Sequence, residues 1–370
     1  MNEQFPQVKK NLGFGCMRLP MKGKKVDCDE FTRMVDAFIE NGFNYFDTAH
    51  GYIDGKSEIA IKQCLTSRYD RDKYILTDKL TENYFKSEKD IRPFFESQLE
   101  ICGVDYFDFY LMHSQNRMNF KKYQACRAYE TAFDLKKEGK IRYVGISFHD
   151  KAEVLRKILT AYPELDAVQI QFNYYDYNSS IVESKKCYDV CREFNKPIIV
   201  MEPVRGGQLV KLPKSAKEIF DSLNGGSAAS YAIRYAASFD GIFMVLSGMG
   251  NMDMMNDNIS YMKDFKPLTQ EEHRAVMEVR GILKKQQIVA CTSCKYCVSG
   301  CPKKISIPDI ISCLNCKRSG VGKKDYEKLI ARGKSGKASD CIKCGKCEDV
   351  CPQKLEIRSI LEDAASRYEK

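Results

Sequence analysis

From residue 11 to about residue 262, short apolar runs alternate with longer amphipathic segments eight times over, and few architectures accept that pattern. The runs are residues 13–17, 44–47, 74–77, 107–113, 143–147, 167–172, 197–201 and 242–246. The segments between them, such as 29–41 and 91–101, carry apolar residues at helical spacing and stop at Gly42 and Gly103. A short buried run followed by an amphipathic helix is a strand with its crossover. Eight of these in about 250 residues match a closed (β/α)8 barrel of parallel strands. An open doubly wound sheet is the alternative, but no Gly-x-Gly-x-x-Gly follows the first run.

At 370 residues the chain is longer than one hydrophobic core normally serves, roughly 250–300 residues, so a second, smaller domain is expected. The barrel is predicted to end near residue 262. Residues 263–290 read as a linker, a polar turn followed by an amphipathic helix from Gln270 to about Gln287, with Thr269 as its N-cap and Pro267 just before it. The remainder, 291–370, carries an internal repeat. Cys291-x2-Cys294-x2-Cys297-x3-Cys301-Pro302 recurs fifty residues later as Cys341-x2-Cys344-x2-Cys347-x3-Cys351-Pro352.

Ten of the 17 cysteines fall between residues 291 and 351. No basic-then-apolar signal stands at Met1 to Lys10, so the reading is metal binding in a cytoplasmic protein rather than disulfides in a secreted one. No run of about 18 apolar residues occurs, which predicts no membrane span. The net charge of +9 is uneven: residues 291–370 hold 17 Lys and Arg against 10 Asp and Glu. Thiolates on a metal would cancel part of that surplus, so no nucleic-acid partner is expected.

Ligand sites of such barrels are built at the carboxyl ends of the strands. There the chain places Asp47 with Tyr52, Lys79, His113, Ser147, Gln169 and Glu202. The first four come from three different strand ends and make a chemically coherent set. Hydride addition to a carbonyl builds negative charge on oxygen and needs a proton donor with fixed polar groups around it. Tyr52 is the candidate acid. A Lys79 ammonium would favour its phenolate, Asp47 would keep Lys79 charged, and a neutral His113 would donate to the substrate oxygen. His50 and His149 lie near the same mouth, and His273 on the linker helix reads as a surface residue.

In this order and spacing, Asp47-x4-Tyr52, Lys79 and His113 resemble the catalytic tetrad of the aldo-keto reductases. Leu12-Gly13-Phe14-Gly15, Val144-Gly145-Ile146-Ser147 and Glu202-Pro203-Val204-Arg205-Gly206-Gly207 extend the likeness. The resemblance implies an NADP- or NAD-dependent oxidoreductase acting on a small carbonyl or alcohol. Ser147 and Gln169 would hold the nicotinamide carboxamide. Met201, Pro203, Arg205, Gly206, Ser247, Gly248, Met249 and Asn258 would form further cofactor contacts. Two positions depart from the common pattern: Met201 stands where many members stack a Tyr on the nicotinamide, and Ser247-Gly248-Met249 lacks a basic partner for a 2′-phosphate.

The cysteine repeat resembles the bacterial ferredoxin module, implying a small α+β domain with two 4Fe-4S clusters. On that likeness Cys291, Cys294, Cys297 and Cys351 hold one cluster, and Cys341, Cys344, Cys347 and Cys301 the other. Zinc is the alternative metal, but structural zinc sites pair their ligands across longer gaps. Cys313 and Cys316 read as buried small hydrophobes rather than ligands. Nicotinamide passes two electrons as hydride and a 4Fe-4S cluster passes one, so a redox partner protein is admitted. The competing function is an electron-transfer protein whose barrel serves as a docking or nucleotide-sensing domain.

Overall fold

The computed structural model describes residues 4–369 apart from 224, 287, 317–320 and 334. Two compact units divide the chain, one of Met1–Val204 and Leu212–Arg280, the other of Arg205–Lys211 and Gly281–Lys370.

The first unit is a closed barrel of eight parallel strands in sequence order: Leu12–Gly15, Tyr45–Asp47, Ile75–Leu80, Phe107–Gln115, Ile141–Phe148, Ala167–Gln171, Ile198–Met201 and Ile242–Ser247. Each coincides with one of the apolar runs to within a few residues. Local chemistry explains the helices between them. Helix Cys28–Glu40 turns Phe31, Met34, Val35 and Phe38 inward and starts at Asp27, whose carboxylate accepts from the Glu30 amide. Helix Glu88–Cys102 opens with a Ser87/Asp90 capping box and stops at Gly103, whose φ of +68° suits a residue without a Cβ. Thr269 and Glu272 cap Gln270–Lys284 reciprocally; the Gln287 end of the expected linker helix lies outside the described residues.

The period of two along each strand sorts the lumen into layers. Tyr45, Ile75, Phe109, Leu111, Ala167, Ile199, Met244 and Leu246 form one apolar cluster, with Phe5 and Val8 of the amino-terminal segment packed into it. Phe5 is fully buried against the rings of Phe109, Tyr143 and Phe243. An even number of residues further along the same strand faces come Asp47, Lys79, His113, Ser147 and Gln169. Strand alternation thus gives an apolar plug at one end and a polar layer at the other.

The second unit contains helices Tyr296–Ser299, Ile307–Asn315, Val321–Ala331, Lys346–Asp349 and Ile357–Tyr368 around a core of Ile305, Ile307, Ile310, Ile311, Tyr326, Ile357 and Leu361. Where the ferredoxin likeness suggested α+β, the described residues of this unit hold no strand; helices alone cover the core. The Lys- and Gly-rich composition of residues 317–337 suggests an exposed excursion between the halves of the cysteine repeat; helix Val321–Ala331 lies within it, and 317–320 and 334 lie outside the described residues. A short hairpin of Met21–Lys22 and Lys25–Val26 was not legible beforehand.

Phe5→Ala should cost about 3–5 kcal/mol by leaving a cavity under the barrel. The check is the thermal unfolding midpoint of the full chain, which should fall by several degrees; an unchanged midpoint would show that the plug carries no stability.

Candidate active site and cysteine-lined cavities

Lys79 organises the polar layer. Its side chain is fully buried, and its ammonium donates to Asp47 Oδ1 at 2.7 Å and to the Thr48 carbonyl at 2.6 Å. Asp47 is fixed from its other oxygen by Gln169 Nε2 at 3.2 Å. Burial pushes the Asp47 carboxyl above its usual range even against the Lys79 charge, a measure of how dry the layer is. Removing either partner would strand the other in that environment, at a cost of about 3–5 kcal/mol.

Tyr52 sits on the loop after the second strand, 9% exposed. Ser57 Oγ ties that loop to the Cys16 carbonyl at 2.9 Å and meets Thr48 Oγ1 at 2.7 Å, while Ile53, Asp54 and Gly55 turn it through three positive φ angles. Lys79 Nζ lies 4.9 Å over the Tyr52 ring, and the His113 ring stands edge-on at 6.0 Å. The Tyr52 phenol is held above its ordinary range, first by burial and then by the Asp47 and Asp78 charges. That is the reverse of what the Lys79 charge alone implies: Asp47 already offsets that charge. The Tyr52 phenol therefore stays protonated at neutral pH.

His113 is 6% exposed, and burial followed by the Lys79 charge holds its imidazole well below the ordinary range, leaving the ring neutral. Its Nδ1 is paired with Thr81 Oγ1 at 2.7 Å, and its carbonyl accepts from Tyr123 OH at 3.1 Å. Ser114, the next residue, adopts a φ of +55°, backbone strain of the kind that collects at sites. Thr48, Thr81, Gln98 and Tyr123 were not singled out from the sequence. Thr81 had a signal, being two residues beyond Lys79 on the same face.

Ser147 and Gln169 are register partners on neighbouring strands, both buried, with Ser147 Oγ 3.3 Å from His149 Nε2. Ser247 ends the eighth strand and takes a hydrogen bond from Asn258 Nδ2 at 2.6 Å, with Gly248 and the buried Met249 following. Met201 ends the seventh strand and the buried Pro203 follows it. Arg205 and Gly206 belong to the second unit. There Gln208 donates to the Cys291 carbonyl at 2.7 Å, and a Cβ on Gly206 would come 2.3 Å from the Thr292 carbonyl oxygen, so only glycine fits.

The two halves of the cysteine repeat share backbone as well as spacing. Ser293 and Lys343, Lys295 and Gly345, and Lys304 and Lys354 form pairs fifty residues apart, and all six have positive φ. Such turns aim successive amides inward and suit an anionic group. One cavity is lined by Cys291, Cys294, Cys297 and Cys351, the other by Cys341, Cys344, Cys347 and Cys301. These are the crossed groupings that the ferredoxin likeness implied. Burial, and then the neighbouring Cys294, Cys291 and Cys351, push the Cys297 thiol up to about 12. Cys313 is buried in the apolar core and lines neither cavity. His273 is exposed, its ring stacked on Tyr235. No helix among the described residues is long and apolar enough to cross a membrane.

The sequence pattern of the Aldo/keto reductase family matches residues 11–280, and that of a 4Fe-4S dicluster domain matches residues 290–356. An aldo-keto reductase of Gibberella moniliformis is 27% identical over 206 residues, covering 54% of this chain and 60% of that one. The NADH-specific methylglyoxal reductase of Escherichia coli is 28% identical over 195 residues, 47% of this chain and 57% of its own length. The aldo-keto reductase AKR11C1 of Bacillus halodurans, in its holo form, superposes with a TM-score of 0.60 at 25% identity, over 73% of this chain and 92% of that one.

The neutral His113 fixes a pH dependence. Its folded pKa lies below the unfolded value of about 6.5, so below that pH the unfolded chain binds more protons and stability is lost as pH falls. The unfolding midpoint should drop between about pH 7 and 5, and less steeply in His113→Gln. Nitrogen NMR of the wild type should show a neutral His113 ring at about pH 6; a ring titrating at its ordinary pH would refute this.

Proposed function

The chain belongs to the aldo-keto reductase family, and from that premise we propose that it reduces an aldehyde or ketone to the alcohol with NADPH or NADH, Tyr52 delivering the proton. The observation that carries this reading is the dry polar layer in which a fully buried Lys79, paired with Asp47 at 2.7 Å, lies against the Tyr52 ring with a neutral His113 beside it.

When bound, the nicotinamide supplies a hydride to the carbonyl carbon. Ser147 and Gln169 would hold its carboxamide: both are buried, adjacent in register, and offer a hydroxyl and an amide beside Asp47. Met201, Pro203, Ser247, Gly248, Met249 and Asn258 would line the rest of the nucleotide. With Nδ1 accepting a hydrogen bond from the Thr81 hydroxyl, His113 would present Nε2–H to the substrate oxygen and fix its approach. Tyr52 then passes its phenolic proton to that oxygen. Lys79, over the ring face, stabilises the phenolate left behind. Relatives named as methylglyoxal and glyoxal reductases support a small carbonyl substrate.

The cysteine repeat would hold two 4Fe-4S clusters, each taking three ligands from one half and the fourth from the other. The two cavities support this, as do the paired positive-φ turns. The Cys341 set faces outward: Cys344 is exposed and Ile342 is 55% exposed, whereas Cys297 and Cys351 are buried. A redox partner protein would exchange single electrons on that side.

Tyr52→Phe should lower carbonyl-dependent oxidation of NADPH or NADH about 10²- to 10⁴-fold while nucleotide binding, followed by fluorescence titration, holds. Turnover near the wild-type rate would overturn the assignment. The crossed ligand sets have their own check in iron content, about eight per chain in the wild type. Cys297→Ser with Cys351→Ser should leave about half the iron, because both serve one cluster, whereas Cys297→Ser with Cys301→Ser should remove nearly all of it. Equal losses in the two double variants would exclude the crossing.

A further inference from the structure

One strand presents two ionisable side chains in succession, and only one belongs to the site above. Lys79 faces the lumen; Asp78, its neighbour in Ile75–Leu80, faces the helices, in the layer where Leu76 and Leu80 are apolar. Asp78 is fully buried, and so is the side chain it meets there, Glu58 of helix Lys56–Ile61. The two carboxyl groups face each other in that layer. Their oxygens and Cys102 Sγ all lie within 4.8 Å of one another.

The remaining partners can be counted. Glu58 Oε1 accepts from Gln98 Nε2 at 3.1 Å, and Glu58 Oε2 is 2.7 Å from His50 Nδ1. Asp78 Oδ1 accepts from the Lys79 amide at 2.7 Å, and Cys102 Sγ donates to Asp78 Oδ2 at 3.7 Å. Gln98 is held in turn by Tyr110 OH at 2.6 Å. The one nearby ammonium, Lys79 Nζ, is spent on Asp47 and Thr48, so no lysine or arginine among the described residues forms an ion pair with either acid. Two carboxyl groups this close and away from water resist double ionisation, and a proton held between them relieves the repulsion. His50, its side chain 24% exposed and flanked edge-on by Tyr84 and Phe94, is the member of this network that reaches solvent.

We propose that Glu58 and Asp78 share a single proton behind Lys79, exchanged with solvent through His50, and that this proton keeps a second negative charge away from the Lys79–Tyr52 couple. The charged and titratable groups around the pair are Asp47, His50 and Tyr52 from the second strand and its loop, and Lys79 from the third strand. Tyr84, Cys102, Tyr110 and, from the short 3-10 helix after the first strand, Cys16 join them. Burial, then the Asp78 and Glu58 charges, raises Cys102, and burial, then Asp78, raises Tyr110, so both serve as donors. Burial followed by Glu58 raises Asp78 itself. Asp78 is among the charges that raise Tyr52, so ionising the pair makes Tyr52 a weaker acid. Asp78 and Glu58 are positioning residues, acting on Tyr52 through the field at Lys79.

This inference rests on Tyr52 being the proton donor, and its test separates the two. Infrared spectra of the full chain at neutral pH should contain a buried carboxylic-acid carbonyl band that shifts in D2O and vanishes in Asp78→Asn, where the amide mimics the protonated acid. This readout is independent of turnover and needs only the wild type to show the band. With a carbonyl substrate, the wild-type kcat should fall as pH rises through the titration of that band, and Asp78→Asn should lack that limb. The proposal is overturned if the wild type has no such band, if the band persists in both Asp78→Asn and Glu58→Gln, or if the pH limb is the same in Asp78→Asn. If Tyr52→Phe turns over normally while the band behaves as expected, the shared proton stands and the role of Tyr52 falls.

Discussion

A lysine ammonium with no solvent exposure is the constraint on which the barrel end depends. Taking such an ion out of water carries a penalty of several kcal/mol, and only close, well-oriented partners offset it. Asp47 and the Thr48 carbonyl supply them at 2.7 and 2.6 Å. That requirement propagates outward. Asp47 must be fixed, so Gln169 reaches it across the lumen; Thr48 must be fixed, so Ser57 binds its hydroxyl and pins the loop that carries Tyr52. Tyr52, the proposed proton donor, is placed by the same contacts that make the buried charge tolerable.

The strand faces show why so much of this arrangement could be read beforehand. In a parallel barrel every strand is buried on both sides, so apolar runs mark the strands, and a polar residue interrupting a run near its carboxyl end stands out. Asp47, Lys79, His113 and Gln169 were legible for that reason. Asp78 interrupts a run just as plainly, but Lys79 beside it drew the chemical reading, and nothing in the sequence says that Glu58, twenty residues earlier, meets it. Period two separates neighbours to opposite faces; which helix side chain lies across from the outer face is a tertiary fact. The direction of the Tyr52 shift was hidden for a related reason. Counting charges gives Lys79 its due, but burial is the larger effect and depends on packing.

The second unit was legible through a different signal. Four cysteines at fixed spacing, repeated after fifty residues, specify sulfur positions more tightly than hydrophobic periodicity specifies a helix. The fold that carries them repeats its turns at Ser293, Lys295 and Lys304 and again at Lys343, Gly345 and Lys354. Five of those six residues are not glycine, so side chains pay strain in the left-handed region to keep the turn. Spacing does not reveal what closes the core, and here helices Ile307–Asn315, Val321–Ala331 and Ile357–Tyr368 do so without a described strand.

The cationic surplus of residues 291–370 acquires a cause from the cavities. Lys303, Lys346 and Arg358 line the cavity of the Cys341 set, and Lys295 lines that of the Cys291 set; no Asp or Glu among the described residues lines either. Four thiolates gathered on one cluster concentrate negative charge in a small volume, and cations at its wall lower the cost of holding it there. Acidic side chains are kept a step back, where Glu348 meets Arg358 and Glu362 meets Lys343. The cations that border the cysteines would thus serve as counter-charge to the proposed clusters.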